Sequence, residues 1–237
     1  MANNYFSFKQ FTIHQDKAAF KVGTDGVLLG ACADLSGAIR ILDIGTGTGL
    51  LAIMAAQRSD AAVIAIEPDY DSFIQAEENV RECPWSDRIK VINCNLKDYC
   101  EINEQKFDII LSNPPYFIDS LKNPDHRKLA ARHNDYLTHS DLLEGITRLL
   151  ERDGLVQTIM PYAEGAIFMA EAQEHGLFCN SMLKIRPLPT SEIRRLILGF
   201  SRKRSSMSEK FLTIEKGKRH EFTEEYINFT RDFYLNF

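Results

Sequence analysis

The chain has 237 residues, 44% hydrophobic and 26% charged, with a formal net charge of −5. This composition suits one globular α/β unit with an appendage and excludes collagen-like, low-complexity and disordered chains. No apolar run is long enough to span a membrane, the five cysteines form no C-x-x-C, and no secretory leader opens the chain, so a cytoplasmic protein without membrane, disulfide framework or metal is expected.

Residues 5–11 alternate aromatic and polar side chains, the pattern of an edge strand or of an arm packed on the domain. Further on, Gly23 and Gly26 flank Thr24 and Asp25 at the entry to an apolar helix. Taken alone, Thr24 and Asp25 read as a helix cap.

Residues 39–44 form a short apolar run, predicted as a buried parallel strand. Gly45, Gly47 and Gly49 follow at alternate positions, and an apolar helix is expected from Leu50. Glycines there let the backbone turn sharply and approach a ligand with no Cβ in the way. A dinucleotide fingerprint would need glycine at position 50, which is Leu50, and no Gly-Lys-Ser/Thr ends the turn. Asp43, just before the turn, can accept a hydrogen bond from a cationic amino-acid head and would repel a pyrophosphate. That favours S-adenosyl-L-methionine (AdoMet) over a dinucleotide; the plainer alternative is a tight turn with no ligand.

Residues 62–67 read as the next strand, and its last residue, Glu67, lies where a carboxylate can take both hydroxyls of a ribose. The alternative for Glu67 is a surface acid. A helix is predicted over 69–82 with Phe73, Ile74, Ala76 and Val80 on one face, ending at Pro84-Trp85, with Trp85 as a loop-packing residue. A third strand covers 89–93. Asn95 follows it, and Asn95 and Asp98 each offer a side-chain oxygen that can accept a hydrogen bond.

Residues 107–112 form another strand, followed by Asn113, Pro114, Pro115 and Tyr116. Two prolines cannot donate backbone hydrogen bonds, but their carbonyls accept. With the Asn113 amide oxygen, the turn can hold an exocyclic amino group, which carries two N–H donors, while Tyr116 offers a ring on which a base can stack. The bland alternative is a rigid strand-terminal turn.

Residues 117–136 are polar and charged, as expected of a functional loop, with His126 and His133 read as phosphate or structural contacts rather than bases. A helix is predicted over 141–150 with Ser140 as cap, then a turn at Asp153-Gly154, a strand over 155–161 and a helix over 163–175. Antiparallel edge strands over 178–187 and 193–201, a short strand over 211–215 and a last helix over 226–234 complete the chain. The fold class expected is α/β, a seven-stranded, mostly parallel sheet with helices on both faces. A single domain spans 1–237, its first 35 residues an arm and cofactor-bordering segment and 36–237 the core.

Charge is unevenly spread. Residues 182–220 hold eleven Lys or Arg against Glu192, Glu209 and Glu215, a net charge of about +8, which leaves about −13 on the rest. Such asymmetry marks a phosphate-binding face on an acidic body; a solvated edge is the alternative.

The glycine turn after Asp43, the acid at Glu67 and Asn-Pro-Pro-Tyr at 113–116 resemble the class I AdoMet-dependent methyltransferases with an NPPY motif, which methylate amino nitrogens on a Rossmann-like fold. The segments F-K-Q-F near the N-terminus and K-V-G-T-D-G-V-L-L-G before the glycine turn, with Ala130-Ala131-Arg132-His133 beyond it, are similar to the bacterial tRNA1(Val) (adenine-37-N6)-methyltransferase family. The resemblance implies an AdoMet site at Asp43, Gly45, Gly47, Gly49 and Glu67, with Asn95, Thr24 and Asp25 as further contacts and Lys21 beside them. It implies an amino-group site at Asn113, Pro114, Pro115 and Tyr116. The implied substrate is adenine 37 in the anticodon loop of tRNA1(Val), with Arg194, Arg195, Arg202, Lys203, Arg204 and Arg132 as RNA contacts, and a monomer is expected. NPPY also serves amide methylation in release factors and guanine N2 methylation in rRNA, and a non-catalytic AdoMet- or RNA-binding module is the alternative of another class.

Overall fold

The computed structural model describes residues 3–115 and 137–237. An N-terminal hairpin, β1 (Tyr5–Ser7) and β2 (Thr12–His14), precedes α1 (Thr24–Cys32). Then come β3 (Arg40–Ile44), α2 (Leu50–Arg58), β4 (Ala62–Glu67), α3 (Tyr70–Glu82), β5 (Ile89–Asn93), α4 (Leu96–Ile102) and β6 (Phe107–Ser112). The second half holds α5 (His139–Leu149), β7 (Leu150–Pro161), α6 (Tyr162–Glu174), β8 (Phe178–Arg186), β9 (Arg195–Ser201), β10 (Ser208–Thr213) and α7 (Glu224–Thr230).

The main sheet runs β10-β8-β9-β7-β6-β3-β4-β5, and β9 alone is antiparallel to its neighbours. Its central strands β3, β4 and β6 are largely apolar on both faces because helices cover both. Successive residues point to opposite sides. Ile41, Val63 and Ile109 join α2 and α3 in one core cluster, while Leu42, Ile66 and Ile110 join α4, α5 and α6 in another. Close approach of α1 to α2 is set by Gly30, where a Cβ would lie 2.5 Å from the Met54 sulfur.

The arm of 5–11 is the β1–β2 hairpin, and it packs on the domain rather than extending the main sheet. Phe8, Phe11 and Ile13 are buried in the first cluster, and Phe11 meets the edge of Trp85. The Lys9 ammonium donates to the carbonyls of Arg231 and Phe237, so the two ends of the chain are tied together.

Several expectations need correction. The main sheet has eight strands, not seven, because β10 adds to the edge of β8. Its polar first half, Ser208 to Lys210, pairs through backbone bonds that need no apolar side chain, so the strand starts three residues before the apolar pattern does. Strand β7 starts at Leu150, and Asp153-Gly154 sits inside it, where its register against β6 shifts between Phe107 and Ile109. The cap of α5 is Thr138, not Ser140: its hydroxyl accepts from the Asp141 amide, and the Asp141 carboxylate accepts in return, a capping box. Gly23, not Thr24 or Asp25, is the N-cap of α1. On α3 the face turned inward carries Ser72, Gln75, Ala76, Asn79 and Val80, whereas Phe73 and Ile74 are only half-buried.

Candidate active site

The site lies at the carboxyl ends of β3, β4 and β6, the end where open α/β sheets bind ligands. Beyond β3 the chain folds back over the tip of β4: the amides of Gly45 and Thr46 both donate to the Ile66 carbonyl, at 3.0 and 3.1 Å. Gly45, Gly47 and Gly49 take φ of 72, 56 and 83°, the left-handed region where a side chain is strained. A Cβ on Gly45 or Gly47 would project into open space, with nothing within 4 Å. The turn is therefore a cradle that a side chain would fill.

Glu67, at the end of β4, is buried and bound to this turn. Its Oε2 accepts from the Gly47 amide at 2.8 Å and its Oε1 from the Asp69 amide at 3.0 Å. These bonds fix the plane of the carboxylate, and a carboxylate oxygen can accept more than one hydrogen bond. Asn93, at the end of β5, donates to the Glu67 and Pro68 carbonyls and holds the strand tip below it.

Asp43 is fully buried. Its Oδ2 accepts from the Thr46 hydroxyl at 2.5 Å, and among the described residues its Oδ1 is buried with no partner at hydrogen-bond geometry. Burial pushes its carboxyl up to about 7, the Thr46 bond pulls it partly back, and the nearby Glu67 charge adds to the rise. A buried, unsatisfied carboxylate oxygen beside an open cradle suits a cationic donor. The residues present thus fit AdoMet: Asp43 for its charged end, Gly45 and Gly47 for close approach, Glu67 for its ribose.

The third strand tip is joined to the first. Ser112 Oγ, buried, donates to the Ile44 carbonyl at 3.1 Å, so Asn113 and Pro114 leave β6 beside the glycine turn. Asn113 is half-buried, Pro114 buried and Pro115 exposed. The start of α1 borders this turn, since a Cβ on Gly26 would lie 3.9 Å from Asn113 Nδ2. Tyr116 and Arg132 lie outside the described residues, as do Lys122, His126, Arg127, Lys128 and His133.

Other expected residues fall nearby in different roles. Asn95 caps α4, its oxygen accepting from the Asp98 amide at 2.8 Å and its Nδ2 donating to the Asp98 carboxylate at 2.9 Å. Thr24 is exposed on the first turn of α1, and Lys21 donates to the Asn3 carbonyl. Asp25 pairs with Arg195 at 2.7 Å, which fastens α1 to β9.

One part of the site lies outside the sequence motifs. Ser72, Gln75 and Asn79 form a polar ladder on α3, and the segment between the hairpin and α1 hangs on it. Asn79 bonds the backbone of His14 in both directions, Gln75 accepts from the Lys17 amide and Ser72 from the Ala19 amide. Asn79 also donates to Thr48 in the glycine turn. The spacing i, i+3, i+7 on an amphipathic helix is the one sequence signal for it.

Among the described residues no three His, Cys, Asp or Glu side chains gather to hold a metal ion, and no helix is long and apolar enough to cross a membrane.

Residues 18–146 match the family model described as the methyltransferase small domain. Solved structures with the same architecture include a ribosomal protein L11 methylase from Lactobacillus delbrueckii, at TM-score 0.59 and 18% identity, covering 84% of this chain and all of that one. An Agrobacterium tumefaciens protein described as a predicted O-methyltransferase reaches TM-score 0.69 at 20% identity, covering 88% of this chain and 96% of that one. At such identities they speak for the fold alone. Much nearer relatives are the tRNA1(Val) (adenine(37)-N6)-methyltransferases of Phocaeicola vulgatus, 46% identical over all of both chains, and Trichodesmium erythraeum, 44% identical over all of both chains. The counterpart from Bacteroides thetaiotaomicron is 45% identical over all of this chain and 99% of its own. With similarity of this depth from end to end, and with glycine turn, Glu67 and Asn113 gathered at one end of the sheet, the chain belongs to the tRNA1(Val) (adenine(37)-N6)-methyltransferase family.

Proposed function

We propose that this protein transfers a methyl group from AdoMet to N6 of adenine 37 in tRNA1(Val). The observation that carries the reading is the Ser112–Ile44 hydrogen bond, which sets the amino-group turn, Asn113 and Pro114, directly beside the glycine cradle. The names of the full-length relatives supply the RNA and the position.

AdoMet, when bound, would supply an electrophilic methyl carbon on a sulfonium, with the S–C bond breaking to leave the neutral thioether. Asp43 holds the cationic amino-acid end, the open faces of Gly45 and Gly47 admit the ligand, and Glu67 takes the ribose. Asn95 caps the helix next to the place expected for the adenine ring. Thr24 and Asp25 shape the wall that α1 makes beside Asn113.

The adenine N6 is a weak nucleophile because its lone pair is delocalised into the ring. Asn113 Oδ1 and the Pro114 carbonyl accept its two N–H groups and turn the lone pair toward the methyl carbon. This is positioning and electrostatics, with no strong base required. The N–H proton is lost to water as nitrogen becomes cationic. The base must leave its stack to reach Asn113, which is cheapest in a loop, and Tyr116 is assigned to stack on it.

The test is nucleoside mass spectrometry of tRNA from a strain lacking this gene, after incubation with purified protein and methyl-labelled AdoMet. Label in N6-methyladenosine at position 37 of tRNA1(Val) is the expected result. Label in rRNA guanine or release-factor glutamine would overturn the substrate and keep the chemistry. AdoMet binding with no label in any acceptor would leave a binding module.

A further inference from the structure

The basic residues, contiguous in sequence, are divided by the fold. Strand β9 runs against its neighbours, so Arg195 pairs with Pro161 at the end of β7, while Ser201 pairs with Phe178 at the start of β8. Seven residues of strand separate those ends by about 20 Å. Arg194 and Arg195 therefore lie at the carboxyl end of the sheet with the glycine turn and Asn113. Arg202, Lys203 and Arg204 lie at the opposite end.

The far-end group is engaged within the protein. Arg202 donates to the Thr147 and Leu150 carbonyls, Lys203 pairs with Asp153 at 2.5 Å, and the Arg204 guanidinium sits 5.2 Å over the Phe178 ring.

The carboxyl-end rim differs. Past β10 a hairpin turn continues the rim: Ile214 donates to Arg186, Glu215 to Pro187 and Lys216 to Glu221 through backbone bonds of 2.7 to 3.0 Å. It exposes Lys216, Lys218 and Arg219. Among the described residues the side chains of Arg194, Lys216 and Arg219 have no hydrogen-bond or ion-pair partner. Acids also border this rim, Glu192, Glu215 and Glu221, with Glu224 and Glu225 in the first turn of α7; Glu221 lies 3.8 Å from Lys218, and Glu215 accepts from the His220 amide. In the sheet order β9 is two strands from β6 and β10 is four. At a strand spacing of about 4.8 Å, the rim cations stand roughly 10 to 20 Å from the Asn113 turn. The start of α1 spans the first part of this distance: a Cβ on Gly26 would lie 3.9 Å from Asn113 Nδ2, and its neighbour Asp25 pairs with Arg195, next to Arg194.

We propose that Arg194 with Lys216, Lys218 and Arg219 holds the phosphates that flank the target adenine, and that the Arg202–Lys203–Arg204 cluster does not. The inference rests on the reading of RNA as the substrate. Charge supports it: Arg194, Lys216 and Arg219, with Lys218 beside Glu221, form a strip leading away from the turn proposed to take the base, on a chain of net charge −5.

Two charge-matched variants test it, Arg194→Gln/Arg219→Gln on the rim and Lys203→Gln/Arg204→Gln at the far end. Each is assayed for the Kd of tRNA transcript at several salt concentrations, for kcat/KM of methyl transfer to tRNA, and for AdoMet Kd as a control of folding. The rim variant should bind tRNA about tenfold more weakly at 100 mM salt, and its salt slope should fall by roughly 1.4 to 1.8, with AdoMet binding unchanged. The far-end variant should stay within about twofold of the parent. An unchanged rim variant, or an equal or larger loss in the far-end variant, overturns the assignment while the parent's transfer to tRNA stands. A parent protein that binds AdoMet but neither binds nor methylates tRNA overturns the functional reading, and this inference with it.

Discussion

Asn79 on α3 donates to the Thr48 carbonyl in the glycine turn at 2.8 Å, and both residues are buried. The same nitrogen donates to the His14 carbonyl, and the Asn79 oxygen accepts from the His14 amide. One side chain thus joins the cradle to the N-terminal arm. Replacing it with Ala leaves two carbonyls and an amide without their partners. Asn79→Ala should cost about 3 kcal/mol of stability and loosen the turn, weakening AdoMet binding. Thermal unfolding should fall by roughly 6 to 12 °C for a chain of this size. A melting temperature within a degree of the parent would refute the coupling.

Asp43 gives a pH prediction whose sign is fixed by burial. Its folded carboxyl is raised from 3.8 to about 7, so the ligand-free fold prefers the neutral acid. The stability this contributes is complete below the unfolded value near 4 and is lost as pH rises through about 7. A cationic ligand prefers the ionised acid, so AdoMet binding should release a proton near neutrality and tighten between pH 6 and 8. Calorimetry in two buffers of different ionisation enthalpy measures that proton directly. In Asp43→Asn the proton release should vanish and affinity fall; undiminished release would assign the proton to another group.

Gly45 separates the cradle from the fold. Its φ of 72° makes an alanine strained by about 1 to 2 kcal/mol, yet the added methyl meets no protein atom. Gly45→Ala should therefore fold and lose AdoMet affinity at least tenfold. Gly49→Ala is the contrast: its Cβ would meet Ala76 at 3.5 Å, an ordinary contact inside the protein, so strain rather than blockage is expected. Equal affinity in the parent and Gly45→Ala would mean that the ligand does not approach this face.

How far these features can be read from the residues depends on the range of the interaction. Strands β3, β4 and β6 and the glycine turn follow from local apolar runs and from glycine, whose backbone freedom is a property of one residue. The α3 ladder does not: Ser72, Gln75 and Asn79 look like a solvated helix face until the arm, more than fifty residues earlier, is laid on it. The basic stretch misleads in the opposite way. Arg195 and Arg202 are seven residues apart and look like one patch, but β9 carries them to opposite ends of the sheet. The two-residue shift of the α5 start has a local cause, since Thr138 and Asp141 form a capping box that Ser140 cannot.

In the proposed mechanism, Asn113 is the residue on which the chemistry turns. It is half-buried between the Ser112 anchor and the start of α1, and it does not touch the Asp43–Glu67 cradle through any bond described above. Truncation to Ala removes an acceptor for one N–H of the amino group and leaves the strand tip intact. The lone pair is then no longer held toward the methyl carbon. Loss of one such positioned acceptor is worth about 100- to 1,000-fold in kcat. Asn113→Ala should show that loss with AdoMet Kd within about twofold of the parent. Asn113→Asp keeps an acceptor at the same reach and should recover part of the rate, whereas a purely structural role would lose activity in both variants along with melting temperature. Single-turnover transfer to tRNA with saturating labelled AdoMet separates the two cases. Full activity in Asn113→Ala would remove the residue from the mechanism.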